Sequence, residues 1–217
     1  MQTNSKYAEA MPFPHAVIDG HFSPELVRMA ELEFPSQNAK CWKWFKNGQE
    51  HKAMCSDPAL MGTATASLLR YFFSPGFLTH ISLMTGIRGL EPNLLGGGMH
   101  LIPRFGKMGM RVDFNRGPKG YRRLNATLFL NSSWEETWGG HLELASAGGK
   151  ERTRIAPIAN RLVVFSTSET SFYGHQEPLL CPPERARKSL EVHYYTQAPE
   201  TLDAPEHSTK FVEFAVE

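Results

Sequence analysis

Three short blocks in the second half of this 217-residue chain carry side chains that could do chemistry together. Met110-Arg111-Val112-Asp113-Phe114-Asn115 offers a carboxylate. Ser171-Phe172-Tyr173-Gly174-His175 offers a distant imidazole. Arg187-Lys188-Ser189 adds a guanidinium and a hydroxyl at the head of the strand-like run Leu190–Tyr195. Residues two apart on a strand point the same way. A histidine two positions from an aspartate can therefore aim with it at one metal ion. A second histidine from another strand would complete a three-ligand face with open positions. A guanidinium fork pairs bidentately with a carboxylate, and a nearby hydroxyl adds a neutral donor. Taken singly, Asp113 and His175 are ordinary polar residues, and Arg187 is a surface arginine between Arg185 and Lys188. Their order gives them weight.

The elements that must position these blocks change character along the chain. Phe13 to Ile18 reads as a short edge strand. Ser23-Pro24-Glu25 is an N-cap followed by proline at the first helical position, and Leu26, Val27, Ala30 and Phe34 follow at helical spacing until Pro35. Ser56-Asp57-Pro58 repeats that signal before Leu60, Met61, Ala64, Leu68 and Phe72. Ser74-Pro75 starts a third helix, with Phe77, Leu78, Ile81 and Met84 inward and Gly86 just past its end. From Gly96-Gly97-Gly98 onward strands and turns take over. Arg122 to Asn131 alternates, with Leu124, Ala126, Leu128 and Leu130 on one face and Asn125, Thr127, Phe129 and Asn131 on the other. One apolar and one mixed polar face suits a sheet whose inner side lines a ligand cavity. Gly140–Ala145, Arg161–Ser166 and Ser189–Gln197 are further strands. The expected fold is mainly β with N-terminal helices (α+β), a double-stranded β-helix or jelly roll buttressed by helices. A single domain is expected: 1–90 mainly helical support, 91–200 the β core, 201–217 a tail. That tail is irregular from Ala198 to Glu206, with one more strand over Lys210–Val216.

Bulk properties exclude several classes. Hydrophobic residues make up 41% and charged residues 21%, and the formal net charge is +1. Neither nucleic-acid binding nor a polybasic membrane contact is suggested. Arg116, Lys119, Arg122 and Arg123 read as a solvated basic loop. Cys41, Cys55 and Cys181 make no CxxC pair and no zinc spacing, so reduced thiols and a cytoplasmic location are expected. The first residues form no apolar leader, and no apolar run approaches the roughly 18 residues that span a bilayer. Trp42, Trp44 and Phe45, flanked by Lys43 and Lys46, read either as a packing patch or as a lid over an anionic substrate.

The segment from about Gly96 to Thr196 resembles the prolyl-4-hydroxylase-like branch of the 2-oxoglutarate/Fe(II) oxygenase superfamily, especially its small bacterial members. The matching blocks are Gly96-Gly97-Gly98-Met99-His100, Val112-Asp113-Phe114-Asn115, Arg123-Leu124-Asn125, Phe129-Leu130-Asn131, Trp138-Gly139-Gly140-His141-Leu142-Glu143-Leu144 and the His175 and Arg187 blocks. Each is weak alone, but together they hold their order over about a hundred residues. The resemblance implies Asp113 and His175 as metal ligands, and Arg187 with Ser189 holding the distal carboxylate of 2-oxoglutarate. Asn125 and Thr127 are candidates for further co-substrate contacts, though Asn125 serves equally as a hydrogen bonder within the sheet. Implied cofactors are Fe(II) and 2-oxoglutarate, with ascorbate as reductant. The implied activity is hydroxylation of a small-molecule or amino-acid-like substrate. Oligomeric state is not legible.

One position breaks the pattern. Where the family places its first histidine, two residues before the aspartate, this chain has Arg111. A guanidinium has five donors and no acceptor and stays charged, so it cannot be a ligand. It should instead pair with Asp113 and compete with any metal. His100 and His141 are the nearest histidines that could fill the gap, although family members often carry both. A water-completed site with two protein ligands is another way out, and a histidine-to-arginine variant of an ordinary oxygenase is a third. The alternative to an enzyme is a non-catalytic 2-oxoglutarate-binding or interaction module with the same fold.

Overall fold

A computed structural model describes residues 3–198 and 206–214, with residues 3–5 as backbone only. In chain order the elements are α1 (Thr3–Ala8), β1 (His15–Asp19), α2 (Pro24–Leu32), β2 (Lys43–Lys46), β3 (His51–Cys55), α3 (Thr63–Phe72) and α4 (Pro75–Thr85). There follow β4 (Glu91–Pro103), β5 (Met108–Val112), β6 (Arg116–Gly117), β7 (Gly120–Phe129), β8 (Leu142–Ala145), β9 (Arg152–Ile155), β10 (Arg161–Ser166), β11 (Phe172–His175), β12 (Ala186–Thr196) and β13 (Lys210–Phe211).

Two antiparallel sheets face one another, as in a double-stranded β-helix. The larger runs β1-β10-β7-β12-β4-β3-β2, with β6 beside β7, and the smaller runs β13-β5-β11-β8-β9. The alternation read in Arg122–Asn131 decides which face goes where. Leu124, Ala126, Leu128 and Leu130 are buried against Phe72, Phe77 and Ile81 of the helices. Phe129, the inward residue of that strand, packs with Leu142, Leu144 and Phe165 between the sheets. The helices thus cover the outer face of the large sheet, and its polar face looks into the barrel.

Local signals account for three of the helix ends. The Ser23 and Ser74 side chains cap α2 and α4, each followed by proline at the first helical position. Gly86 closes α4 in the left-handed conformation (φ 76°), which favours glycine. The expected helix from Ser56 differs. Asp57 caps only a 3₁₀ turn, Pro58–Leu60, and α3 starts at Thr63 after Gly62. Its first amides are capped from a distance, Ala64 and Thr65 donating to the Glu33 carboxylate just beyond α2.

The edge strand expected over Phe13–Ile18 is there as β1, and two strands that were not expected among the first ninety residues, β2 and β3, also join the large sheet. Trp42 is a packing residue, 8% exposed and 5.8 Å from Phe34 between ring centroids, whereas Trp44 stands half-exposed on edge strand β2. The basic loop is not wholly solvated, since Arg122 is 4% exposed and points inward. Among the described residues the tail strand is found over Lys210–Phe211, while the end of its expected span, 215–216, and most of the irregular tail, 199–205, lie outside the described residues.

Candidate functional site

Strand alternation builds the inner wall. On β12, Arg187, Ser189 and Glu191 share a face. Ser189 lies opposite His100 of β4 and Phe129 of β7, and Glu191 lies opposite Thr127 of β7. After an irregularity in the β4 pairing, His193 stands opposite Asn125. A row of polar side chains therefore crosses the inner face of the large sheet, and all of them are buried.

Asp113 sits just past β5, in the smaller sheet. Its Oδ1 lies 3.0 Å from Arg111 Nε, and its Oδ2 lies 2.7 Å from Arg122 Nη2. The Tyr173 hydroxyl donates a hydrogen bond to Oδ2 as well. Arg111 Nη1 lies 3.1 Å from Glu50 Oε1, which also holds Lys52 Nζ at 2.8 Å. The result is a chain of charges, Lys52–Glu50–Arg111–Asp113–Arg122, closed by Tyr173. Burial pushes the Asp113 pKa up, but Arg122, Arg111 and the Tyr173 hydroxyl outweigh it and hold the carboxyl well below the usual range. Burial pushes the Tyr173 hydroxyl above its ordinary value, and the neighbouring Asp113 charge adds to this. Tyrosine is thus a neutral donor here.

The register explains why Tyr173 reaches Asp113. Tyr173 of β11 lies directly opposite Arg111 of β5, whereas His175 lies opposite Met108, and the pairing is irregular between them. Gly174, at the irregularity, lets the strands approach: a Cβ there would meet the Met108 carbonyl oxygen at 2.6 Å. His175 is buried too, close enough to Arg187, Arg111 and Lys52 to be acted on by their charges. Its Nδ1 lies 3.2 Å from the Glu177 carbonyl oxygen, and its buried Nε2 has no hydrogen-bond partner among the described residues. Burial, with Arg187 as the leading nearby charge, lowers its pKa to about 3.

The other expected residues are found as follows. Arg187 is 1% exposed, donates from Nε to the Gly140 carbonyl at 2.8 Å, and lies 4.8 Å from the Phe129 ring centroid. Its Nη1 has no hydrogen-bond partner among the described residues. Burial lowers its pKa to about 10, which still leaves it charged at neutral pH. Ser189 donates to Glu191 Oε1 at 2.9 Å, so its proton is already used within the protein. Asn125 accepts from Arg122 Nε at 2.9 Å, in keeping with a sheet-internal role. Thr127 is buried on the same inner face. His141 is engaged at the rim by Glu136 at 2.9 Å and by Arg154 at 3.4 Å. His100 lies 3.8 Å from Glu191 through Nδ1, its Nε2 lacks a partner, and burial lowers its pKa to about 4.

Sequence reasoning missed Tyr173, Arg122, Glu50, Lys52 and Glu191. Glu191 had a visible signal, since Ser189, Glu191 and His193 alternate with Leu190, Val192 and Tyr194 on one strand. Tyr173 had none without the register of two strands sixty residues apart.

A family model, the 2OG-Fe(II) oxygenase superfamily, matches residues 99–195. No curated protein matches the sequence. Among solved structures, a prolyl-4-hydroxylase from Pseudomonas putida is similar at 20% identity and a TM-score of 0.66, over 91% of this chain and 98% of that one. A prolyl hydroxylase from Trichoplax adhaerens, solved with a hypoxia inducible factor peptide fragment, is similar at 14% identity and a TM-score of 0.63, over 84% of each chain. HygX from Streptomyces hygroscopicus, solved with nickel, 2-oxoglutarate and hygromycin B, is similar at 12% identity and a TM-score of 0.54, over 93% of this chain and 92% of that one. The fold is therefore that of the prolyl-4-hydroxylase-like oxygenases. The match to the superfamily model spans residues 99–195, a little under half of the chain.

That family implies Fe(II) and 2-oxoglutarate. The residues around Asp113 do not fit the metal. Both carboxylate oxygens are engaged, two guanidinium cations flank them, and a tyrosine supplies the third side chain. Among the described residues, no group of three or more His, Cys, Asp or Glu is arranged to hold a metal ion.

Proposed function

We propose that this protein is a binding module built on the oxygenase fold, with an ionic cluster where the metal would be held and Arg187 kept as a receptor for a carboxylate. The carrying observation is the saturation of Asp113 by Arg111, Arg122 and Tyr173. A divalent cation entering there would have to displace two buried guanidinium groups from their counter-charge. Breaking such a buried pair costs about 3–5 kcal/mol. Arg187 supports the receptor role, because it is buried, charged and carries a nitrogen without a partner. In this reading Arg187 binds and orients the ligand, while Phe129 and the inter-sheet apolar residues exclude water. The three cysteines are unpaired, which suits a reducing compartment such as the cytoplasm.

The competing reading is an Fe(II)-dependent hydroxylase of a small-molecule or amino-acid-like substrate. The unpartnered Nε2 atoms of His100 and His175 favour it, since a neutral imidazole nitrogen is a good ligand. Titration of the metal-free protein with Fe(II) under anaerobic conditions separates the two readings, combined with a succinate-release assay on 2-oxoglutarate. The binding module takes up no stoichiometric iron and releases no succinate. One iron per chain with iron-dependent succinate release would establish the hydroxylase instead.

A further inference from the structure

Outside the barrel, a groove of about 590 Å³ lies where α1, β1 and α4 meet. That volume is in the range of small-molecule sites. Its lining is mostly apolar. Tyr7 of α1 and Met84 of α4, 3% and 8% exposed, belong to the helical core and form its base. Val17 of β1 and Leu83 of α4 also line it, yet they stand 41% and 73% exposed. His80, Leu83 and Met84 fall three and four positions apart, so they share one face of α4. Large aliphatic side chains gathered at one groove gain by being covered.

One wall is held rigidly. His21 Nε2 lies 3.0 Å from the Tyr71 hydroxyl. The His21 ring centroid is 4.9 Å from Phe22, 5.5 Å from Tyr71 and 6.1 Å from His80. A wall already packed in this way loses little freedom when a ligand arrives.

The charge of the groove is one-sided. Lys6, His15, His21 and His80 line it, and neither Asp nor Glu does. Burial, with the His80 imidazole beside it, lowers the pKa of His21, so that ring is neutral at pH 7. Lys6 is exposed on α1 and supplies a positive charge at the rim. An apolar trough with a cation at its mouth and no carboxylate in its lining complements a molecule with an apolar body and a negative end.

We propose that this groove binds a single-chain amphiphile with an anionic head, of the fatty-acid class. The alkyl chain covers Val17, Leu83 and Met84, and the carboxylate meets Lys6. The lining includes neither Arg187 nor any member of the Asp113 cluster. The proposal therefore stands under either reading of the barrel.

The test is calorimetric titration of the full chain with octanoate, octanol and octyltrimethylammonium, below micelle formation. The three share one alkyl chain and differ in head charge. Octanoate should bind one per chain, about fivefold tighter than octanol, which is the upper range for an exposed ion pair. Octyltrimethylammonium should bind weakest. Lys6→Met should bring octanoate down to the affinity of octanol. Leu83→Glu removes an apolar wall and adds a like charge, and should weaken octanoate about tenfold or more. Both side chains are exposed, so both variants should fold, and the head-charge series on the unaltered protein decides even if one does not. Octanoate binding that does not saturate would overturn the proposal. So would equal affinity for octanol, or unchanged octanoate binding in Leu83→Glu. A sedimentation coefficient that rises with protein concentration in the unaltered chain but not in Leu83→Glu would give the groove to a second copy instead, and overturn it too.

Discussion

At the scale of single residues, the meaning of Arg111 depends on Tyr173. The sequence foretold that Arg111 would pair with Asp113, because residues two apart on a strand share a face, and the pair is there at 3.0 Å. It did not show that the third side chain at that point is Tyr173, since His175 reads as the obvious partner. Replacing Arg111 alone should therefore not create a metal site. In Arg111→His, the Tyr173 hydroxyl and Arg122 remain on Asp113 Oδ2. In the double variant Arg111→His, Tyr173→His, two imidazoles stand opposite each other across β5 and β11 beside a carboxylate whose Oδ1 is freed, with Arg122 left on Oδ2. That set matches a facial triad. Visible absorption during Co(II) titration should report one bound ion per chain for the double variant and none for the single. Equal uptake by both would show that Tyr173 is not the blocking residue. Asp113→Asn tests the cluster from the other side. It leaves Arg122 without a carboxylate and Arg111 with only Glu50, and should cost about 3–5 kcal/mol in urea unfolding. A loss under about 1 kcal/mol would mean that the charges are better hydrated than their burial indicates.

At the scale of elements, legibility followed how local the cause was. Ser23 and Ser74 cap their helices through atoms three residues away, and both starts were readable. The leucine alternation in β7 fixed which face meets the helices. The start of α3 was misjudged because its cap is Glu33, thirty residues upstream. Lys43–Lys46 and His51–Cys55 form a hairpin that continues the large sheet, yet Trp42, Trp44 and Phe45 suggested only a patch or a lid. The decisive element for the site is the irregular pairing of β11 with β5, and no periodicity exposes it. Gly174 makes it possible, and its role can be checked directly. A methyl group there would press on the carbonyl oxygens of Met108 and Gly109 at 2.6 and 2.7 Å. Both belong to backbone, so neither can swing away. Gly174→Ala should destabilise the protein by about 2–4 kcal/mol and expose the amides of β5 and β11 to hydrogen exchange. Exchange confined to β8 and β9 instead would move the weak point away from this pairing.

At the scale of the whole molecule, a fold with this many buried ionisable groups must depend on pH, and the sign follows from the shifts. His100, His175 and His193 are pushed down to about 4, 3 and 3, mainly by burial. In the unfolded chain each would titrate near 6.5. Between those values the unfolded state binds protons that the native state refuses, so stability falls as pH falls. Each such histidine contributes a slope of up to about 1.4 kcal/mol per pH unit. Glu191 acts in the same direction lower down. Burial raises its pKa, but His100, His193, Arg187 and Lys52 outweigh burial and bring it to about 2. It is ionised in the native state where the unfolded carboxyl has taken up a proton, so its share is lost below about pH 4.3. The two contributions add. Stability should be nearly flat above pH 7, decline from about pH 6.5 with a slope steeper than one histidine can give, and continue to fall below pH 4.3. Urea midpoints measured at half-unit intervals from pH 8 to 4 would show it. His193→Gln should reduce the slope between pH 6.5 and 4 by about a third, because one of the three buried imidazoles is gone. A midpoint that stays constant down to pH 4.5 would mean that these imidazoles reach water.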